Sequence, residues 1–207
     1  MRIIIDAMGG DNAPDAMISG AVLAARELDA ELVLVGRGAE ILQALERQGM
    51  ATLPKGMEVA NAEDVVEMHD DPATVVRKRR DSSMVVGLRM LAEEKGDAFV
   101  SAGSTGALLA AATLIVKRLP GIRRAAMAPV LPTASGRYVL IDCGANAEVT
   151  PEFLLQFACL GAFYAKRALG VQDPKVCLLN IGTEDTKGTD LQRQTYRLLQ
   201  GLGEKGV

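Results

Sequence analysis

The sequence predicts an α/β protein with a largely parallel sheet, on three observations. Short β-rich runs alternate with longer segments of helical periodicity from one end of the chain to the other. Four of the β-rich runs finish in short turns that mix glycine with small polar or acidic residues. The composition, 49% hydrophobic and 24% charged over 207 residues, suffices for a core without covalent staples.

Arg2 to Asp6 (RIIID) reads as the first strand. Pro14 to Leu28 follows as a helix with Ala16, Ile18, Val22, Ala25 and Leu28 on one face. Glu31 to Val35 is a second strand, Glu40 to Gln48 a helix, and Met57 to Ala60 a short third strand. Pro72 opens a helical stretch, and Ser82 or Ser83 caps the next helix, Met84 to Lys95, which Gly96 ends. Asp97 to Ser101 is a strand, and Thr105 to Val116 is a nearly all-apolar helix, expected to be buried on most sides. Ala125 to Leu131 and Tyr138 to Asp142 form a strand pair joined by the breakers PTASG. Pro151 to Leu169 is a long helix with Glu152 in its first turn and Lys166 and Arg167 in its last, matching the helix dipole. Lys175 to Asn180 reads as a buried strand and Asp190 to Leu202 as a final helix. The whole, 1–207, reads as a single α/β domain. After the last helix comes GLGEKGV, with no further strand, whereas a parallel sheet ordinarily continues by crossover. The expectation is therefore an N-terminal part of a longer chain.

Several functions are disfavoured. Net charge is −3 and the one basic cluster is RKRR, Arg77 to Arg80, which does not make nucleic acid a leading partner. Charged residues interrupt every candidate membrane span, and MRIIID is too short for a signal peptide, so the cytoplasm is the default. Cys143, Cys159 and Cys177 lack metal-ligand spacing, and Cys159 and Cys177 are expected to be buried small hydrophobes. Cys143 has two readings, packing and, less favoured, a nucleophile at a helix N-terminus. DAMGGD after the first strand does not match a dinucleotide fingerprint, and the Walker A pattern is absent. The only histidine, His69, sits in EMHDDP without a GxSxG elbow anywhere to complete a triad. Asp142 and Glu148 flank a glycine turn, but no dense carboxylate cluster supports a metal. No cofactor and no metal are expected.

The four turns are DAMGGD (Asp6 to Asp11), SAGSTGA (Ser101 to Ala107), DCGANAE (Asp142 to Glu148) and NIGTEDTKG (Asn180 to Gly188). In an open parallel sheet the carboxyl ends of the strands share one edge, where ligands bind, so the turns are expected to converge there. Glycines such as Gly9, Gly10, Gly103 and Gly106 admit close backbone approach, and helix N-termini favour anions. Ser104 and Thr105 add hydroxyls and Lys187 a full positive charge. The candidate site is therefore one for phosphate or a similar oxyanion. The competing readings are structural glycines at βα turns and a solvated Lys187.

DAMGGD, PATVVRKRRDSSM, FVSAGSTGAL, APVLPT, LIDCGANAE, LLQFACLG and LLNIGTEDTKG occur in one order across essentially the whole chain. Together they resemble the bacterial phosphate acyltransferase family (acyl-ACP:phosphate acyltransferase, PlsX). The resemblance implies a three-layer α/β/α fold similar to phosphotransacetylases and isocitrate-dehydrogenase-like proteins. It implies a cytoplasmic homodimer, peripheral at the membrane, that moves a long-chain acyl group from acyl carrier protein to inorganic phosphate for phospholipid synthesis. Ser104 stands where the family's turn normally carries asparagine, and Glu148 where many relatives have aspartate. The family's chains also continue beyond this one, through a glycine-rich segment and amphipathic helices tied to membrane contact.

On this reading Ser104, Thr105 and the N–H groups after Gly103 cradle phosphate, and Lys187 offsets its charge. Asn180 and Asn146 are candidate donors, and Asp6 and Asp11 pin loops. Arg77, Lys78, Arg79 and Arg80 have two readings, a solvated helix face and a docking patch for the acidic carrier protein, and Arg77 and Arg80 match family positions that equally suit the phosphate site. Two rival functions remain, a phosphotransacetylase-like enzyme using coenzyme A thioesters and a non-catalytic anion-binding fragment.

Overall fold

RIIID and ELVLVG are rich in branched residues, which suit a pleated strand packed on both faces. In the computed structural model, which describes residues 1–184 and 186–203, they pair in parallel as β1 (Arg2–Asp6) and β2 (Glu31–Gly36). β3 (Met57–Asn61) lies beyond β2 and β4 (Ala98–Val100) on the far side of β1, giving a parallel order β3-β2-β1-β4. The helices of this region are α1 (Asp15–Glu27), α2 (Gly38–Arg47), the short α3 (Val75–Lys78), α4 (Ser83–Ala92) and α5 (Thr105–Ile115). They belong to a first compact unit, Met1–Lys117, and Arg118–Val207 forms a second.

Strand alternation sorts the core of the first unit. Ile5, Leu32 and Leu34 face Ile18, Val22, Ile41 and Leu45 of α1 and α2. Ile4, Val33 and Val35 face the other way, against Val86, Met90 and Leu91 of α4. Helices on both sides of a parallel sheet make this unit the expected three-layer α/β/α arrangement. The chain runs outward from β1 through β2 to β3, then returns to lay β4 on the opposite side of β1. That reversal makes the carboxyl ends of β1 and β4 the switch point at which open α/β sheets take ligands.

The predicted helices and the first four strands appear within a few residues of their expected ends. Two expectations about burial fail. Only Ala107 and Ala111 of α5 are buried, because Val75, Met84 and Leu88 cover one face while Leu114 stays exposed. Cys159 and Cys177 are exposed, not buried.

The second unit contains a hairpin, β5 (Val130–Thr133) and β6 (Gly136–Val139), and the helices α6 (Pro151–Ala168) and α7 (Asp190–Gly203), which pack together. The hairpin sits closer to its turn than expected, taking Pro132, Thr133 and Gly136 into the strands. Its pairing extends loosely outward through Leu140 N–H to Pro129 O at 3.1 Å and Cys143 N–H to Met127 O at 3.0 Å. Thr150 caps α6, its Oγ1 accepting the Phe153 N–H, with Pro151 in the first turn. The strand expected over Lys175–Asn180 does not form. The described residues offer it no neighbouring strand, so Cys177 loses its expected cover and Leu179 stays 81% exposed. Asp185 of the lysine turn and the end of the glycine-rich tail, 204–207, lie outside the described residues.

Candidate functional site

Asp6 ends β1 with its side chain 1% exposed, and both carboxylate oxygens are engaged. Oδ1 accepts the Met8 N–H at 3.2 Å, an Asx-type turn that folds DAMGGD back on itself. Oδ2 accepts the Ser101 hydroxyl at 2.7 Å, and Ser101 Oγ accepts the Gly103 N–H at 3.1 Å. The turns after β1 and β4 are therefore tied through one carboxylate. They also touch through backbone. A Cβ at Gly9 would lie 2.5 Å from Asp6 Oδ2 and 3.0 Å from Gly103 N, and Gly10, at φ +106°, abuts the Ala102 carbonyl. Only glycine fits at position 9.

The second turn leads into α5. Ser104 is the N-cap, its Oγ accepting the Ala107 N–H at 3.4 Å. Thr105 and Gly106 occupy the first two helical positions, where N–H groups have no intrahelical acceptor. Both residues are exposed, at the positive end of the helix dipole. Pro72 approaches from the preceding segment, its Cγ 3.2 Å from where a Cβ on Gly106 would stand. Asp6, Gly9, Gly10, Gly103, Ser104, Thr105 and Gly106 thus gather at the switch point. Asp11 is exposed beyond them.

The basic cluster divides. Arg77, Lys78 and Arg80 are exposed, and their side chains make no ion pair with the glycine turns among the described residues. Arg79 turns inward, bonding Asp70 Oδ2 through Nε at 3.0 Å and Asp64 Oδ1 through Nη1 at 3.0 Å. The Arg79 hydrogen bond, helped by the Glu67 N–H, holds the Asp70 carboxyl below its usual range, and Arg79 is raised in turn. Arg79 thereby fastens the segment that carries Pro72.

The turns of the second unit are closed by their own side chains. Asp142 Oδ2 accepts the Asn146 N–H at 2.8 Å, and its Oδ1 accepts the Met127 N–H at 2.8 Å. Asn146 Nδ2 donates to Ala125 O at 2.9 Å and to Asp142, while its Oδ1 accepts from Arg124 Nε at 2.7 Å. Asn180 Nδ2 donates to Lys187 O at 3.2 Å, and Asn180 Oδ1 accepts the Ile181 N–H at 2.9 Å. Lys187 is exposed. Among the described residues, only the first two turns end strands of the parallel sheet. The Asp142 turn follows an antiparallel hairpin and the Asn180 turn follows no strand, so neither ends a strand of the parallel sheet.

Ser101 is missed by the sequence reading, and Arg79, expected on a solvated helix face or in a docking patch, is instead an internal anchor held by Asp64 and Asp70. Ser101 had a readable signal, a serine two residues before a glycine at a strand end, which suits an ST-turn. Arg79 had none beyond its three basic neighbours. An open groove elsewhere, lined by Met1, Arg2, Leu28, Lys55 and Asp97, lies at the amino ends of the strands and shares no residue with the glycine turns. Among the described residues no three His, Cys, Asp or Glu side chains gather to hold a metal ion.

A family model described as "Fatty acid synthesis protein" matches residues 1–206. The chain is 48% identical over 200 residues to a phosphate acyltransferase of Desulfitobacterium hafniense (strain DSM 10664 / DCB-2), covering 97% of this chain and 59% of that protein. It is 45% identical over 202 residues to a phosphate acyltransferase of Bacillus licheniformis, with 97% and 59% coverage. The chain thus spans about three fifths of the length of these curated relatives. Among solved structures, a phosphotransacetylase from Streptococcus pyogenes superposes with a TM-score of 0.74 at 20% identity, over 99% of this chain and 65% of that one. The EutD phosphotransacetylase from Staphylococcus aureus gives 0.68 at 19% identity, over 100% and 65%. At such identities the likeness is one of fold.

Proposed function

The chain belongs to the fatty acid synthesis protein family, and on that premise we propose that it carries the phosphate-binding part of an acyltransferase. The proposed reaction moves a long-chain acyl group from acyl carrier protein to inorganic phosphate, giving acyl phosphate for phospholipid synthesis. One observation supports this above the rest: Gly9 and Gly103 meet at the switch point of a parallel sheet, beside the N-terminus of α5. The relatives named phosphate acyltransferase support the same choice of acceptor.

A thioester is already activated, so positioning supplies much of the acceleration. Phosphate rests on the Thr105 and Gly106 N–H groups and the Thr105 hydroxyl. Its oxygen attacks the thioester carbonyl carbon, the C–S bond breaks, and the proton that hydrogen phosphate gives up passes to the leaving thiolate, so that the carrier departs as a thiol. Lys187 is assigned the neutralisation of developing negative charge, with Asn180 fixing the turn that carries it. Arg77, Lys78 and Arg80 form a basic patch for the acidic carrier, which predicts a rate that falls with salt. The protein is assigned to the cytoplasm as a homodimer working at the inner membrane face. No described helix is long and apolar enough to cross a membrane.

The test is acyl phosphate formation from palmitoyl-ACP and phosphate, comparing this chain with Lys187→Ala. A loss of at least tenfold with folding intact is expected, and equal activity returns Lys187 to the solvated surface. Inactivity of both chains, with phosphate still bound, favours an anion-binding fragment. Equal turnover of palmitoyl-CoA favours the phosphotransacetylase-like reaction, which the shared fold also suits.

A further inference from the structure

Asp6, expected to pin a loop, holds two turns at once. Its side chain is 1% exposed, and its two oxygens are taken by the Met8 N–H and the Ser101 hydroxyl. Ser101 in turn holds the Gly103 N–H, so that this amide points back into the protein. Beyond it, the amides of Thr105 and Gly106 open α5 without an intrahelical acceptor.

We propose that Asp6 and Ser101 are a positioning pair: the carboxylate fixes the Ser101 rotamer, Ser101 fixes Gly103, and this sets which backbone N–H groups meet phosphate. The proposal rests on the reading of this turn as the phosphate site. The pair solves a particular electrostatic problem. A carboxylate beside an anion site repels the anion, and the hydrogen bonds that both oxygens accept from the two turns disperse part of that charge. Gly9 completes the device, since any side chain there would displace the carboxylate. Ser101 is the serviceable point of attack because it is only half-buried and its loss creates a small cavity.

The experiment titrates inorganic phosphate into the 207-residue chain by calorimetry and follows the Gly103 amide by hydrogen exchange. Ser101→Ala is expected to weaken phosphate at least tenfold and to speed exchange at Gly103, with β2 amides unchanged. Ser101→Thr, which keeps the hydroxyl, is expected to bind within threefold of wild type. Asp6→Asn combined with Ser101→Ala is expected to cost no more affinity than the worse single variant, because the two act as one chain of bonds. A wild-type chain that binds phosphate while Ser101→Ala binds equally well overturns the pair and leaves the phosphate site standing. Failure of Ser101→Thr to rescue also overturns the pair. A wild-type chain that does not bind phosphate overturns the site itself, and the pair with it.

Discussion

Two aspartates at the ends of apolar runs, Asp6 in IIID and Asp142 in LID, do similar local work in very different surroundings. Each carboxylate gathers the N–H groups of the turn that follows it. Asp6 closes a central strand with a parallel neighbour on each side and helices above and below. Asp142 follows a two-stranded hairpin, in a unit where Phe157 and Thr195 alone are buried among the described residues. The difference shows how separable two things are. An Asx turn needs only its own residues, whereas a strand needs a neighbour.

The contrast in core predicts the largest effect. Phe157→Ala removes the one large buried side chain among the described residues of the second unit, at a cost of roughly 3–5 kcal/mol. Hydrogen exchange should show protection lost in α6 and α7 and retained in β1 and β2. Equal loss in β1 breaks the comparison, because the two units then unfold as one. Gly9→Ala comes next, since its new methyl collides with Asp6 and Gly103, and overpacking of this kind costs about 1–3 kcal/mol. Gly144, with open space around its Cα, is the control in the matching turn, although its φ of +85° strains any replacement. A thermal melt in which Gly9→Ala is harmless removes the tight turn-to-turn contact.

Helix caps sharpen the comparison on a smaller scale. Ser104→Ala and Thr150→Ala each delete one N-cap, worth about 1 kcal/mol. The buried Ser104 should cost more than the exposed Thr150 in chemical denaturation. The smallest effect is electrostatic. Asp70 and Glu152 are both held below their usual carboxylate range, Asp70 chiefly by Arg79 and Glu152 chiefly by the Thr150 hydroxyl. A lowered folded-state pKa gives stability that is present above the unfolded value and lost as pH falls through the folded one. Both anchors should therefore loosen in acid, as pH falls below the ordinary carboxylate range. At neutral pH, 1 M salt should speed amide exchange near Asp70, an ion pair, and leave the Glu152 region unchanged. Equal salt sensitivity at both sites sinks that distinction.

The helices and the first four strands were legible because the sequence carries their physics locally. Caps such as Ser82 and Thr150, the breaker Pro151 and the branched runs RIIID and ELVLV all act on their own neighbours. VCLLN looked no different from ELVLV, yet it remains unpaired with Ile181 beside it 87% exposed. Pairing is a property of two segments, and one segment does not encode it. The site divided in the same way. Gly9, Gly103 and Ser104 were legible from turn chemistry, whereas the Asp6–Ser101 bond joins residues 95 apart and appears only once β4 lies beside β1.

That separation also bears on how the chain is made. β1 leaves the ribosome ahead of the other strands of its sheet, yet its second edge stays open until β4 follows, about 95 residues later. At ordinary synthesis rates this delay is roughly 5–20 s. Once β2 has been made, IIID can pair with it on one side while exposing a bare apolar edge on the other, a template for pairing with a second nascent chain. The order of synthesis, and not the finished fold alone, thus sets when β1 is open to a second chain.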